Sequence, residues 1–143
     1  MGLDHVQRYI CSQQQELYEY AQQNNADIRR FSDDFLNSDF CNRSLDQPYS
    51  ADQYMDIMNW LEFLEQNGIY LSEYRTATPL PFQLAGWLGF TYRQIQIETK
   101  ISSRELAKRI PIDRLIIAYP GLHTVDEEMA SEILIHDFKI NQD

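Results

Sequence analysis

The sequence predicts an all-α protein, a single compact irregular bundle of five to seven helices spanning residues 1–143. Three observations predict it. Apolar residues recur at three- and four-residue intervals in several separate stretches, which is the repeat of one helix face. Helix-opening patterns, Ser or Thr followed three residues later by Gln or Glu, stand at Ser50–Gln53, Ser102–Glu105 and Thr124–Glu127. Helix-breaking residues separate the stretches, at Gly68, Pro81, Pro111 and Pro120-Gly121. With 143 residues, 43% of them hydrophobic and 13% aromatic, the chain has the length of one domain. A chain of that size buries roughly 68–70% of its unfolded surface, so neither a metal nor a disulfide is needed to hold it.

The elements follow in order. Leu3 to about Asn24 is a first helix, with Leu3, Val6, Ile10 and Leu17 on one stripe. Asn24-Asn25 ends it, because Asn tolerates a left-handed C-terminal turn. Asp27 caps a second helix whose Ile28, Phe31, Phe35 and Leu36 share a face. Asn42 to Tyr49 reads as a loop. Ser50 then opens a helix in which Ser50 and Gln53 cap reciprocally. Its apolar face is Tyr54, Ile57, Met58, Leu61 and Leu64, and Gly68 stops it. Ile69–Leu71 is a short extended segment or connector. Pro81 suits the first turn of a long helix to about Lys100, apolar at Leu84, Trp87, Leu88 and Ile95 and solvated towards its outer end. Gly86 and Gly89 lie near one face, where another element approaches closely. Ser102, with Glu105 as reciprocal partner, caps a short helix to Arg109. Residues 113–118 form one or two further turns, closed by Pro120-Gly121. Thr124 and Glu127 cap the last helix, Asp126 and Glu128 strengthen its first turn, and Met129, Ile133 and Leu134 point inward.

Charge is the first functional signal. Asp and Glu number 22 against 12 Lys and Arg, for a net charge of −10. The imbalance lies almost wholly in residues 1–74, which hold 13 acids and 4 bases. Such a field repels phosphate backbones and disfavours direct binding of nucleic acid or an anionic membrane. No apolar run nears the roughly 18 residues of a membrane span, and no signal-peptide pattern opens the chain. The expected location is cytoplasmic.

The residue patterns of familiar chemistries are missing. His5, His123 and His136 form no metal-spaced pair, and Cys11 and Cys41 fit neither a zinc spacing nor a disulfide framework. They are expected to be reduced and structural. No phosphate-cradling glycine loop is present. Asp33-Asp34 are consecutive and diverge by about 100° on a helix, a poor acid–base couple. No cofactor, metal or catalytic residue is therefore expected. Ser103–Arg109 followed by a turn suggests a helix-turn-helix, with Arg104, Lys108, Arg109 and Arg114 as phosphate contacts, against the sign of the net charge.

One set of residues goes beyond composition. Gly89-Phe-Thr-Tyr-Arg93, Thr99, Ser102-Ser103, Glu105 and Leu122-His-Thr-Val-Asp-Glu-Glu-Met-Ala130 occur in order. This pattern resembles a small, mostly Firmicute family of proteins of unknown biochemical activity, over about residues 31–135. The family carries aromatics after its Tyr-Arg pair, where this chain has Gln94 to Ile97, and Phe before its His, where this chain has Leu122. Its members are encoded beside ADP-ribosyltransferase-like toxins. The resemblance thus implies a non-enzymatic antitoxin, immunity or accessory protein, bound to a toxin-like partner.

The expected mechanism is occlusion of the partner's basic surface by the acidic N-terminal half, through Asp33, Asp34, Asp39, Asp52 and Asp56. Tyr92 and Arg93 are either a salt-bridged helix contact or a partner-facing anchor. His123 bridges helices or touches the partner. Exposed aromatics among Tyr18, Tyr49, Tyr70 and Tyr74 are further interface candidates. Two other readings follow from the same residues: an acidic inhibitor that mimics nucleic-acid charge, and a helix-turn-helix regulator. Oligomeric state stays open.

Overall fold

A computed structural model describes residues 2–140. Among them are seven α-helices: α1 (His5–Gln23), α2 (Ile28–Leu36), α3 (Ile57–Gln66), α4 (Phe82–Thr99), α5 (Ser103–Arg109), α6 (Ile112–Leu122) and α7 (Glu127–Asp137). The all-α expectation holds. The single piece of β-type pairing among the described residues is a bridge between Ala26 and Arg75. Tyr70 is extended, but Leu71–Tyr74 coil into a tight 3₁₀ turn, so the connector at 69–71 is not a strand.

The bundle is built around α1 and α4. They run antiparallel: Gln22 reaches the Leu80 carbonyl at one end, and Gln14 meets Arg93 at the other. The close approach expected at the two glycines is present. A Cβ on Gly89 would stand 2.6 Å from the Gln14 carbonyl oxygen and 2.8 Å from the Tyr18 ring, while one on Gly86 would meet the Glu19 side chain. Against this pair pack Phe31 and Phe35 of α2, Trp60 and Leu64 of α3, Leu106 of α5, Leu115 of α6 and Leu134 of α7, all buried.

Helix α4 differs from its sequence reading. Its outer end is not solvated: Thr91, Arg93, Gln94, Gln96 and Thr99 are buried along with the apolar positions. It is the central helix, buried over most of its length from Leu84 to Gln96, and its buried polar groups find internal partners. Thr99 donates to the Ile95 carbonyl, and Gln94 donates to the Glu127 carbonyl.

The helix starts are set by aspartates more than by the Ser/Thr boxes. Asp4, Asp27, Asp56 and Asp126 are the N-caps of α1, α2, α3 and α7, each accepting backbone N–H bonds that the first turn leaves open. Ser50 does cap, but it caps a 3₁₀ turn, Ala51–Tyr54. Gln53 does not return the bond, because its amide donates to the carbonyls of Ser44, Leu45 and Gln47. Tyr54 and Met58 consequently stand exposed instead of facing the core. Ser102 caps α5 as expected, yet the Glu105 carboxylate turns to Arg109. Thr124 is not the cap of α7. Asp126 takes that place, two residues on, and Met129 is exposed instead of facing the core. Pro120 does not close α6, which runs on to Leu122. So near the end, the proline forfeits one backbone bond and the last turn continues.

Candidate ligand cleft and buried polar network

Two of the segments that carry the family resemblance, Gly89–Arg93 and Leu122–Ala130, lie about thirty residues apart, and both contribute to one cleft of about 340 Å³ between α1, α4, α6 and α7; Thr99, Ser102, Ser103 and Glu105 do not line it. Helix α4 supplies Trp87, Phe90, Thr91 and Gln94. The end of α6 and the turn after it supply Tyr119, His123 and Val125, and α7 supplies Glu127, Ala130 and Ser131. Trp87 meets Tyr119 edge-on at 5.4 Å between ring centres, and Tyr119 stacks on His123 at 4.4 Å. The His123 Nδ1 lies 2.8 Å from the Tyr119 carbonyl oxygen. A carbonyl only accepts, so Nδ1 carries the proton. His123 is thus held by its own helix end.

The floor of the cleft is polar. Gln94 donates to the Glu98 carboxylate and to the Glu127 carbonyl, and Ser131 Oγ donates to the other Glu98 oxygen. Glu127 forms an ion pair with Arg8. No lysine or arginine lines the cleft.

On the other side of α4 lies a buried ionic cluster. Arg93 has none of its side chain exposed. Its Nη1 donates to Asp46 Oδ1 at 2.8 Å and to Gln96 Oε1 at 2.9 Å, its Nε donates to Gln14 Oε1 at 2.8 Å, and its Nη2 lies 3.4 Å from Cys41 Sγ. Asp46 also accepts from the backbone N–H and hydroxyl of Ser103. Gln14 Nε2 is buried without a partner among the described residues.

Asp46 reaches this position through a wide π-helical turn, Cys41–Leu45, in which the Asp46 N–H bonds the Cys41 carbonyl. That turn occupies part of the segment read as a loop, and Asp46 is the residue the sequence reading missed. The signal for it was indirect: a buried arginine requires an anion. Tyr92 is buried too and donates to the Ile110 carbonyl at 2.6 Å. Tyr92 and Arg93 are therefore helix–helix contacts, and neither reaches the surface as a partner-facing anchor.

The five aspartates proposed as contacts divide. Asp33, Asp34 and Asp39 are exposed at α2 and just after it. Asp34 also accepts from the Tyr74 hydroxyl at 2.7 Å. Asp56 is exposed but serves as the N-cap of α3. Asp52 is partly buried, with its carboxylate accepting from Ser44 and its carbonyl from the Trp60 indole. It is a structural residue. Of the aromatics, Tyr18 and Tyr74 are core, while Tyr49 and Tyr70 are exposed. A smaller apolar hollow lies at His5, Val6, Tyr9 and Tyr54.

Burial pushes the Cys41 thiol up to about 11 and the Cys11 thiol up to about 12, with Arg93 pulling the other way in both. Both stay protonated near neutrality and are poor nucleophiles. Among the described residues no group of three or more His, Cys, Asp or Glu is placed to hold a metal ion, and no helix is long and apolar enough to cross a membrane. In the helix-turn-helix segment, α5 and α6 are separated by two residues. Arg104 donates to the Asn37 carbonyl, Arg109 pairs with Glu105, and Arg114 lies over the Phe138 ring. Comparison with protein-family models, curated proteins and solved structures found no match to this chain.

Proposed function

We propose that this chain is a non-enzymatic, acidic protein-binding module that covers a basic surface of a toxin-like partner, the antitoxin or immunity role that the family resemblance implies. One observation carries the reading: three exposed carboxylates on α2 and just after it, Asp33, Asp34 and Asp39, have no ion-pair partner among the described residues. Of the two arginines of the same helix, one is committed to an ion pair elsewhere and the other to a ring face and a carbonyl. Arg29 pairs with Asp113, and Arg30 lies over Tyr74 and donates to the Glu73 carbonyl. An acidic surface left open in this way steers a cationic partner towards it and repels phosphate.

The test is affinity capture from the native host at low salt, followed by binding and inhibition measurements on the purified partner. The expected partner is a toxin-like protein that the chain inhibits. Asp33→Lys with Asp39→Lys is expected to slow association roughly tenfold and to flatten its salt dependence. Affinity that ignores both the reversal and the salt would sink the acidic-face mechanism. A partner that is a nucleic-acid enzyme, released by DNA, would replace it with charge mimicry.

A further inference from the structure

The cleft at Trp87 has the chemistry of a site for an organic cation, and we propose that it takes the guanidinium of an arginine presented by the partner protein. This rests on the reading of a basic partner but adds the place where one of its side chains is held. Three features point to guanidinium. The walls are aromatic, with Trp87, Phe90 and the Tyr119–His123 stack around one space, and aromatic faces attract planar cations. The lining holds one carboxylate, Glu127, and no lysine or arginine, and a second carboxylate, Glu98, stands directly behind it, bonded to the lining residues Gln94 and Ser131.

The third feature is Arg8. The chain already seats one of its own guanidinium groups on the Glu127 carboxylate at the edge of the cleft, half exposed to solvent. An incoming arginine would share or take over that carboxylate. A phosphorylated or carboxylate ligand finds no cation in the lining, and the Arg8 guanidinium at its edge is already paired with Glu127. The volume of about 340 Å³ lies at the small end of ligand sites, enough for one long side chain and part of its neighbour.

The experiment is a titration of the full chain with N-acetyl-arginine methylamide, followed by amide chemical shifts and tryptophan fluorescence. Trp60 is fully buried in the core, so a fluorescence change reports Trp87. The citrulline counterpart has the same shape without the charge and is expected to bind roughly tenfold weaker. Trp87→Leu is expected to weaken the arginine probe by a similar factor when shifts are the readout. Arg8→Ala is expected to tighten it several-fold, because the Glu127 carboxylate is released. A packing role for Arg8 alone would not produce that gain.

Equal binding of citrulline and arginine, or no saturable shift at the cleft, overturns the proposal. Free L-arginine that binds tighter than the capped residue overturns the partner as its source, since an arginine within a chain has neither the α-ammonium nor the α-carboxylate that would supply the gain. These outcomes are independent of the charge reversals on α2. A failed cleft leaves the acidic-face reading standing, and a failed capture leaves a cleft whose selectivity is still measured.

Discussion

Arg93 is the side chain whose removal should cost the most. It carries its charge with no exposed surface, and Asp46 balances it at 8% side-chain exposure. Breaking such a pair from one side strands the other charge, at about 3–5 kcal/mol. Arg93→Met is expected to lower stability by that amount in urea denaturation. Arg93→Lys should recover only part of it, because one ammonium cannot reach Gln14, Asp46, Gln96 and Cys41 together. The double variant Arg93→Met with Asp46→Leu should lose less than the sum of the singles. Strict additivity would mean that the pair is not energetically coupled. The Tyr-Arg dipeptide was legible in the sequence as either a salt-bridged helix contact or a partner-facing anchor, and the structure makes it the former. Which anion was not legible, because Asp46 lies 47 positions away on a turn without apolar periodicity.

Helix ends and helix contacts hold the next level of information. The caps were partly legible: the sequence marks most helix starts to within about two residues, but α3 starts at Asp56, well beyond Ser50, and competition between neighbouring cap residues decides the rest. Asp126 displaces Thr124 because its carboxylate reaches the Met129 N–H at 2.9 Å and carries a charge suited to a helix start. Asp126→Ala is expected to cost about 1 kcal/mol, and Thr124→Ala close to nothing; equal losses would return the cap to Thr124. The glycines of α4 separate in the same way. At Gly89 an added methyl meets the Gln14 backbone, which cannot move aside, so Gly89→Ala should lose about 1–3 kcal/mol. At Gly86 it meets the flexible end of Glu19. That side chain can swing away, and the gain in helix propensity of about 1 kcal/mol should leave Gly86→Ala neutral or stabilised in thermal melts.

Across the whole molecule, buried thiols and phenols set the alkaline limit. Cys41 and Cys11 are raised by burial to about 11 and about 12, against about 8.5 in an unfolded chain. Burial likewise raises Tyr18 and Tyr92. The folded state therefore holds protons that the unfolded state releases first. Their stabilising contribution is complete below about pH 8.5 and is lost as pH rises towards 11–12. Urea midpoints should hold up to about pH 8.5 and then fall, and Cys11→Ala should fall less steeply. A thiol reagent at pH 8 should label neither cysteine before the chain unfolds. Fast labelling of the native protein would contradict the burial of both.

The sequence by itself determined the fold class, the order of the helices, most of their boundaries and the excess of acid in the first half. These are local or additive properties: periodicity, capping chemistry and charge count act within a turn or two of chain. Only the tertiary structure decided that the polar outer half of α4 is buried, that Asp46 is the partner of Arg93, and that the Gly89–Arg93 and Leu122–Ala130 segments both contribute to one aromatic cleft. The reason is physical. A polar residue on a helix looks the same in sequence whether water or another side chain satisfies it, and only packing of distant elements removes the water and forces the choice.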